Sequence, residues 1–217
     1  MEIIRGKQTS FADTTALAHA LRAPSGVHID LGTGDGRFVR HVAQTCPDWF
    51  VIGVDACRDN LRDASRRAPA NALFVVASAQ TLPPELRGLA ARASVNFPWG
   101  SLLAGLLAPE SAVLDSLWAV TRPGAVLEVR LNAGALAETG CQFEAGADRM
   151  QAALAASGFA LNHPALMTAG ELRRFPSTWA KRLAFGRDPR ALYLRGVRQA
   201  GGERPAAAPS LSAVRGV

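Results

Sequence analysis

The chain has 217 residues, 48% of them apolar and 19% charged, which is enough for one well-buried core and short for two independent domains. A formal net charge of +6 and a pI near 10.2 favour an anionic partner, usually nucleic acid, although arginine- and alanine-rich compositions also arise from base bias. No run approaches the roughly 18 consecutive apolar residues of a membrane span, and Met1-Glu2-Ile3-Ile4-Arg5 lacks the apolar stretch of a secretory signal.

Gly6-Lys7 suggests a turn between two short N-terminal strands. Beyond it, runs rich in β-branched residues alternate with longer segments of helical pattern. Strands are expected at Val27–Leu31, Phe50–Val54, Leu73–Ala77, Ala93–Phe97, Ala125–Leu131 and Leu192–Val197. Helices are expected at Gly36–Thr45, Asp59–Arg67, Glu110–Val120 and Asp148–Ala156. This alternation implies an α/β fold, a parallel sheet covered by helices on both faces. Residues 1–199 read as one domain. The tail from Ala200, with Gly201-Gly202, Pro205 and Pro209, reads as disordered. Cys46, Cys57 and Cys141 lie far apart, as do the four histidines. They are expected to be reduced thiols of a cytoplasmic protein with no metal site.

The first strand runs into His28-Ile29-Asp30-Leu31-Gly32-Thr33-Gly34-Asp35-Gly36-Arg37. Alternating glycines allow a sharp turn and close approach of a ligand to the backbone. The spacing is not the Gly-x-Gly-x-x-Gly of dinucleotide sites, and no phosphate-loop lysine follows. A cationic sulfonium donor has no phosphates, and suits a glycine turn flanked by acids such as Asp30 and Asp35. The second strand ends in Gly53-Val54-Asp55-Ala56, about 20 residues later, where a carboxylate can accept two ribose hydroxyls. The third ends in Val76-Ala77-Ser78-Ala79-Gln80, small residues on which an adenine ring can lie. Asp30, Gly32, Gly34, Asp35, Asp55, Ala56, Ala79 and Gln80 are therefore candidate cofactor residues, against the simpler reading of Asp55 as a helix cap.

After the fourth strand comes Asn96-Phe97-Pro98-Trp99-Gly100-Ser101-Leu102-Leu103. In an open parallel sheet the ligand crevice lies beyond the carboxyl ends of the strands, which places Trp99 beside the reacting methyl group. A second segment, Phe175-Pro176-Ser177-Thr178-Trp179-Ala180-Lys181-Arg182-Leu183-Ala184-Phe185-Gly186-Arg187, interleaves aromatic rings with cations, as single-base stacking with phosphate contact requires. Trp49 and Trp118 are assigned to packing.

Together, the glycine turn Asp30–Gly36, the segment Phe97–Leu103 and the segment Ser177–Arg187 resemble the aminoglycoside-resistance 16S rRNA adenine-N1 methyltransferases. The resemblance spans the initial hairpin to about Val197. It implies a class I, Rossmann-like S-adenosylmethionine-dependent methyltransferase fold, with a seven-stranded, mostly parallel sheet and an N-terminal hairpin. It also implies a monomer acting on adenine 1408 in the decoding-site helix of the 30S subunit. In that family's pattern Trp99 and Trp179 sandwich the flipped adenine, and Ser101 and Ser177 join the cofactor set. Arg66, Arg67, Lys181, Arg182, Arg187 and Arg190 are the corresponding rRNA-binding residues. Three departures are visible. Gln80 stands where glutamate is common. The stretch between Leu131 and Asp148 is short and without a basic residue, leaving Arg149 the nearby cation. The helix carrying Arg67 stops at Ala68-Pro69-Ala70. Each of the last two implies altered ribosome docking.

Adenine N1 carries a lone pair in the neutral base, so the implied chemistry needs positioning and no general base. Other readings stay open on the residues alone. They are a tRNA guanine-N7 methyltransferase, which also has an aromatic-proline motif, a small-molecule methyltransferase, and a non-catalytic rRNA-binding or assembly protein that keeps the fold. A dehydrogenase is disfavoured by the glycine spacing.

Overall fold

The β-branched runs and amphipathic stretches build a single continuous sheet in the computed structural model, which describes residues 1–21, 25–186 and 188–200. Arg187 and the tail 201–217, both subjects of expectations above, lie outside the described residues. In chain order the elements are β1 (Glu2–Arg5), β2 (Gln8–Phe11), α1 (Thr14–Ala20), β3 (Gly26–Leu31), α2 (Arg37–Thr45) and β4 (Trp49–Asp55). There follow α3 (Arg58–Arg66), β5 (Ala72–Val76), β6 (Ala90–Asn96), α4 (Gly100–Leu107), α5 (Ala112–Val120) and β7 (Thr121–Asn132). The last are α6 (Ala133–Glu138), α7 (Phe143–Ala156), β8 (Phe159–Leu161), β9 (Ala165–Leu166), α8 (Ala169–Arg174), α9 (Thr178–Ala184) and β10 (Ala191–Arg198).

The strand order is β2-β1-β5-β4-β3-β6-β7-β10-β8, with β9 beside β10. Strands β5, β4, β3, β6 and β7 are parallel, and β10 runs antiparallel between β7 and β8. Six of these seven match the strands expected from the sequence, and β8 is the one not located there. The N-terminal hairpin extends the sheet by pairing β1 with β5, and the two-residue β9 is an addition. The chain leaves β3 towards β4 and returns to its other side at β6. That switch in direction opens a crevice at the carboxyl ends of β3 and β6.

All six residues of β3 are buried, as expected for a central parallel strand. One face packs on α4, α5 and α7 through Leu103, Leu106, Leu114, Leu117, Met150 and Leu154. The other face holds Val39 and Ala43 of α2 against Val51 and Phe74. Among the described residues no single helix is long and apolar enough to cross a membrane. The apolar α4 and α5 are instead core helices. Helix α5 begins two residues later than expected, because Ser111 Oγ accepts from Leu114 N and caps it. Helix α7 begins five residues earlier, with Phe143 buried against the core.

Trp49 and Trp118 do pack. Trp49 lies over Gly26 under the Arg92 guanidinium, and Trp118 meets Phe159 edge-on beneath Arg198. Gly36 is hemmed in from two sides. Its φ is +65°, and a Cβ would lie 2.6 Å from both Ala64 and Phe74. A left-handed backbone and overpacking both penalise a side chain there. Gly36→Ala should therefore lower unfolding free energy by about 2–4 kcal/mol; denaturant melts matching the parent would refute that packing.

Candidate active site

The crevice at the switch point is a cavity whose walls come from five places in the chain: the ends of β3, β4, β5 and β6, and the start of α9. Asp30, Gly32, Gly34, Asp35, Asp55, Ala56, Ala79, Gln80, Ser101 and Ser177 all line it, together with Trp99 and Trp179. The whole candidate cofactor and target set thus converges on one site. Phe38, Asn60, Ser78, Asn96 and Leu102 also line it and carry no earlier assignment.

The glycine turn is locked by Gly32 N and Thr33 N, which both donate to Val54 O at 2.8 and 3.0 Å. Gly32 and Gly34 take φ values of +69° and +55°, which side-chain-bearing residues rarely adopt. Gly34 N donates to Asp55 Oδ2 at 2.8 Å, while Cys57 N donates to Oδ1 at 2.8 Å. The Asp55 carboxylate is therefore oriented by backbone on both sides before any ligand arrives.

Asp30 is fully buried beneath the turn. Its Oδ1 accepts from Ser94 Oγ at 2.6 Å and Asn96 Nδ2 at 2.8 Å, and it has no salt-bridge partner among the described residues. Burial pushes its pKa up from 3.8 to about 6, against the hydrogen bonds from its neighbours. His28, two residues earlier, shares Ser94 Oγ at 2.8 Å. Burial, then the cationic Arg92 and Arg130, hold it far down at about 3, so it is neutral. This chemistry fits the expected donor. A buried carboxylate in no salt bridge among the described residues favours a sulfonium or ammonium, Asp55 offers oriented acceptors for ribose hydroxyls, and Ala77-Ser78-Ala79-Gln80 forms a small-residue wall.

On the target side, Phe97 takes a left-handed φ of +52° just before Pro98. Its N–H donates to Arg130 O at 2.8 Å and its ring is buried edge-on against Phe175. That strained turn throws Trp99 out of the sheet. Trp179 comes from α9, whose N-terminus is capped by Ser177 Oγ accepting from Ala180 N. The two indoles stack on each other, with centroids 5.7 Å apart and planes at 19°. They remain 40% and 47% exposed, large values for tryptophan. Phe175 stacks on Phe38 at 5.2 Å, joining α9's leading turn to α2. Thr178 Oγ1 donates to Asp35, so Asp35 clasps α9 to the glycine turn as well as lining the cavity. Sequence reasoning gave Thr178, Phe38 and Phe175 no role, since their partners are distant in the chain.

The basic candidates divide. Lys181 and Arg182 are exposed on α9, with the Arg182 guanidinium 5.4 Å from the Trp179 ring centroid. Arg66 and Arg67 end α3 beside the hairpin, away from the cavity, and Arg66 pairs with Asp63. Arg190 is held by both oxygens of Asp188 and lies over Phe143. Arg149, the cation that follows the short linker in sequence, donates its Nε–H to Leu107 O and so closes the end of α4. The linker itself is built from α6 and the start of α7, with Ala135, Leu136 and Phe143 packed in the core.

A folded-state pKa above the unfolded value means that ionising Asp30 opposes folding. The penalty is absent well below pH 4 and complete above about pH 6. A difference of about two pH units corresponds to roughly 3 kcal/mol at neutral pH. Asp30→Asn keeps an oxygen for Ser94 and Asn96, and should raise the melting temperature of the ligand-free protein at pH 7.5 while weakening binding of a cationic donor. Unchanged melting at both pH 5 and pH 7.5 would show that the carboxylate is not desolvated as described.

Known proteins share this arrangement. The family model described as NpmA, 16S rRNA (adenine(1408)-N(1))-methyltransferase, matches residues 2–198. A 16S rRNA (adenine(1408)-N(1))-methyltransferase of Escherichia coli is 31% identical over 205 residues, covering 86% of this chain and 94% of that protein. The solved antibiotic-resistance methyltransferase Kmr superposes with a TM-score of 0.77 at 33% identity, over 93% of this chain and 100% of its own. A variant of the Catenulisporales acidiphilia 16S rRNA (adenine(1408)-N(1))-methyltransferase, solved with the cosubstrate SAM, gives 0.77 at 28% identity over 94% and 99%. With the site geometry and these similarities in agreement, the chain belongs to the 16S rRNA (adenine(1408)-N(1))-methyltransferase family.

Proposed function

We propose that this chain is an S-adenosylmethionine-dependent enzyme that methylates N1 of adenine 1408 in 16S rRNA, and that it confers aminoglycoside resistance by doing so. We further propose that its substrate is the assembled 30S subunit, approached in the cytoplasm by a monomer. The observation that carries this reading is the single cavity in which a buried Asp30, in no salt bridge among the described residues, lies beneath two exposed, stacked tryptophans. The bound donor supplies an electrophilic methyl group: its carbon–sulfur bond breaks as the bond to N1 forms, and the positive charge passes from sulfur to the base. The chain's own residues bind and align. Asp30 and Asp55 hold the donor, with Gly32, Gly34, Asp35, Ala56, Ala79, Gln80, Ser101 and Ser177 around it. Such alignment supplies on the order of 7–11 kcal/mol of barrier reduction.

Trp99 and Trp179 are assigned to the flipped adenine. A base in van der Waals contact with both rings needs them about 7 Å apart, twice the ordinary carbon–carbon contact distance. Their centroids stand at 5.7 Å, so the pair must open. Lys181, Arg182 and Arg187 are assigned to phosphates beside the target, with Arg66, Arg67 and Arg190 as outer contacts. The release of Arg182 from Trp179 to a phosphate would accompany opening. Because α6 fills the place of a basic linker and Arg149 is engaged, docking rests on α9 and on the α3–hairpin surface. A tRNA guanine-N7 activity is not favoured, since the matching relatives are rRNA adenine enzymes.

The deciding assay offers labelled S-adenosylmethionine with 30S subunits, free 16S rRNA or tRNA, followed by primer extension. Label in 30S with a stop at adenine 1408 is expected; label in tRNA alone would overturn the reading. Trp99→Ala and Trp179→Ala should each lose about 1–3 kcal/mol of stacking, roughly a 5- to 150-fold fall in methylation, with cofactor affinity kept. Full activity in both would remove them from the target site. Arg182→Glu should reduce the slope of log affinity against log salt for 30S by about one or more. An unchanged slope would take Arg182 off the docking surface.

A further inference from the structure

One face of the sheet carries polar side chains through its interior: His28 and Asp30 on β3, Ser94 and Asn96 on β6, Glu128 and Arg130 on β7, and Tyr193 on β10. We propose that Arg130, at the centre of this array, is a positioning residue that fixes the cofactor carboxylate Asp30 on one side and seats the Trp179 segment on the other. The proposal deepens the function above and rests on it.

Towards the cofactor, Arg130 Nη1 donates to Asn96 Oδ1 at 2.9 Å. A guanidinium only donates, so this bond settles which way round the Asn96 amide lies. The amide nitrogen is then the atom that donates to Asp30 Oδ1 at 2.8 Å. With Ser94 Oγ on that same oxygen, the carboxylate is held by two donors from β6. Towards the target, the Arg130 guanidinium lies 4.8 Å from the Phe175 ring centroid and 4.7 Å from that of Tyr193. Tyr193 is held in turn by donating its hydroxyl to Glu128 at 2.8 Å. Phe175 also touches Phe38, which follows the glycine turn, and Phe97, which launches Trp99, and it stands four residues before Trp179. The Arg130 side chain is only 14% exposed, so these contacts occur in a weakly screened setting.

The two halves of the role separate by substitution. Arg130→Met keeps bulk and removes both donor and charge. Arg130→Lys keeps a donor and charge for Asn96 and loses the planar stack. Phe175→Leu keeps the Arg130–Asn96 bond and removes the ring contacts that Phe175 makes with Arg130, Phe38 and Phe97. Calorimetric binding of S-adenosylmethionine from pH 5 to 8 reads the cofactor half without any RNA. The groups facing Asp30 in that range are Ser94 and Asn96 from β6, Thr33 from the turn, Arg130 from β7, His28 through Ser94 with Arg92 beyond it, and Asp55 across the cavity. Burial holds His28 neutral throughout, so the acid loss of affinity reports Asp30. Arg130→Met should weaken binding about tenfold and move the midpoint of that loss upward by up to about one pH unit. Arg130→Lys should restore both, while Lys and Leu variants alike lower turnover on 30S at saturating cofactor without a matching fall in affinity. Parent-like binding and midpoint in Arg130→Met overturn the cofactor half, and parent-like turnover in both Arg130→Lys and Phe175→Leu overturns the target half. Should Arg130→Met fail to fold, Arg130→Lys with a Met-like collapse of cofactor affinity would equally refute the assignment. Failure of the rRNA substrate would leave the calorimetric result intact, which distinguishes the two ideas.

Discussion

A carboxylate in no salt bridge among the described residues, sealed at the end of the central strand, is the constraint around which this molecule is arranged. Asp30 is costly in a ligand-free protein, because burial disfavours its ionised form. The surrounding sheet reduces that cost with donors. It does so by interrupting an apolar interior: β6 contributes Ser94 and Asn96, and β7 alternates Glu128 and Arg130 with buried Leu127, Val129 and Leu131. An interior parallel strand is normally apolar on both faces. The polar stripe here is therefore the support structure of a single functional atom, and the aromatic rings of α2, α8–α9 and β10 cover it.

That history explains what could be read in the sequence. The six main strands and four helices were visible because burial in a parallel sheet enforces β-branched runs of the right length. The glycine turn, Asp55 and both tryptophans were visible because their chemistry needs particular residues at strand ends. Helices α4, α8 and α9 were obscured by short length and by Gly100, Gly105 and Pro176, and the form of α8 and α9 depends on capping by the Thr168–Glu171 box and by Ser177. The support residues were hidden for another reason. Asn96 and Asp30 lie 66 positions apart, and Thr178 and Asp35 lie 143 apart, so no local pattern joins them. The alternating charges of β7 were the one available sign, in a segment assigned as a plain apolar strand.

The basic excess is also less uniform than a net charge of +6 suggests. Arg58, Arg62 and Arg66 on α3 each pair with a carboxylate, as does Arg190, whereas Lys181 and Arg182 appear in no salt bridge among the described residues. Such exposed pairs are weak and exchange readily with phosphate. Two cations outside those pairs thus stand on the helix that carries Trp179, where, on the function proposed above, attraction of an anionic backbone would bring a base to the cavity mouth.

The face-to-face contact of Trp99 and Trp179 has a final consequence for discrimination. Each ring already covers the apolar surface that a nucleobase would cover, so the chain carries its own competitor for the slot. On the role proposed for the pair, an entering adenine would exchange one ring–ring contact for two, a net gain of one stack, about 1–3 kcal/mol. Extracting that base from a duplex costs a few kcal/mol, which leaves the exchange near balance. A base still held in a helix would therefore gain little by entering alone, and the equilibrium would tip only when a partner grips the protein at many points at once. Choice of target is in this way delegated to a surface remote from the chemistry, and the aromatic pair serves as the threshold that makes the delegation effective.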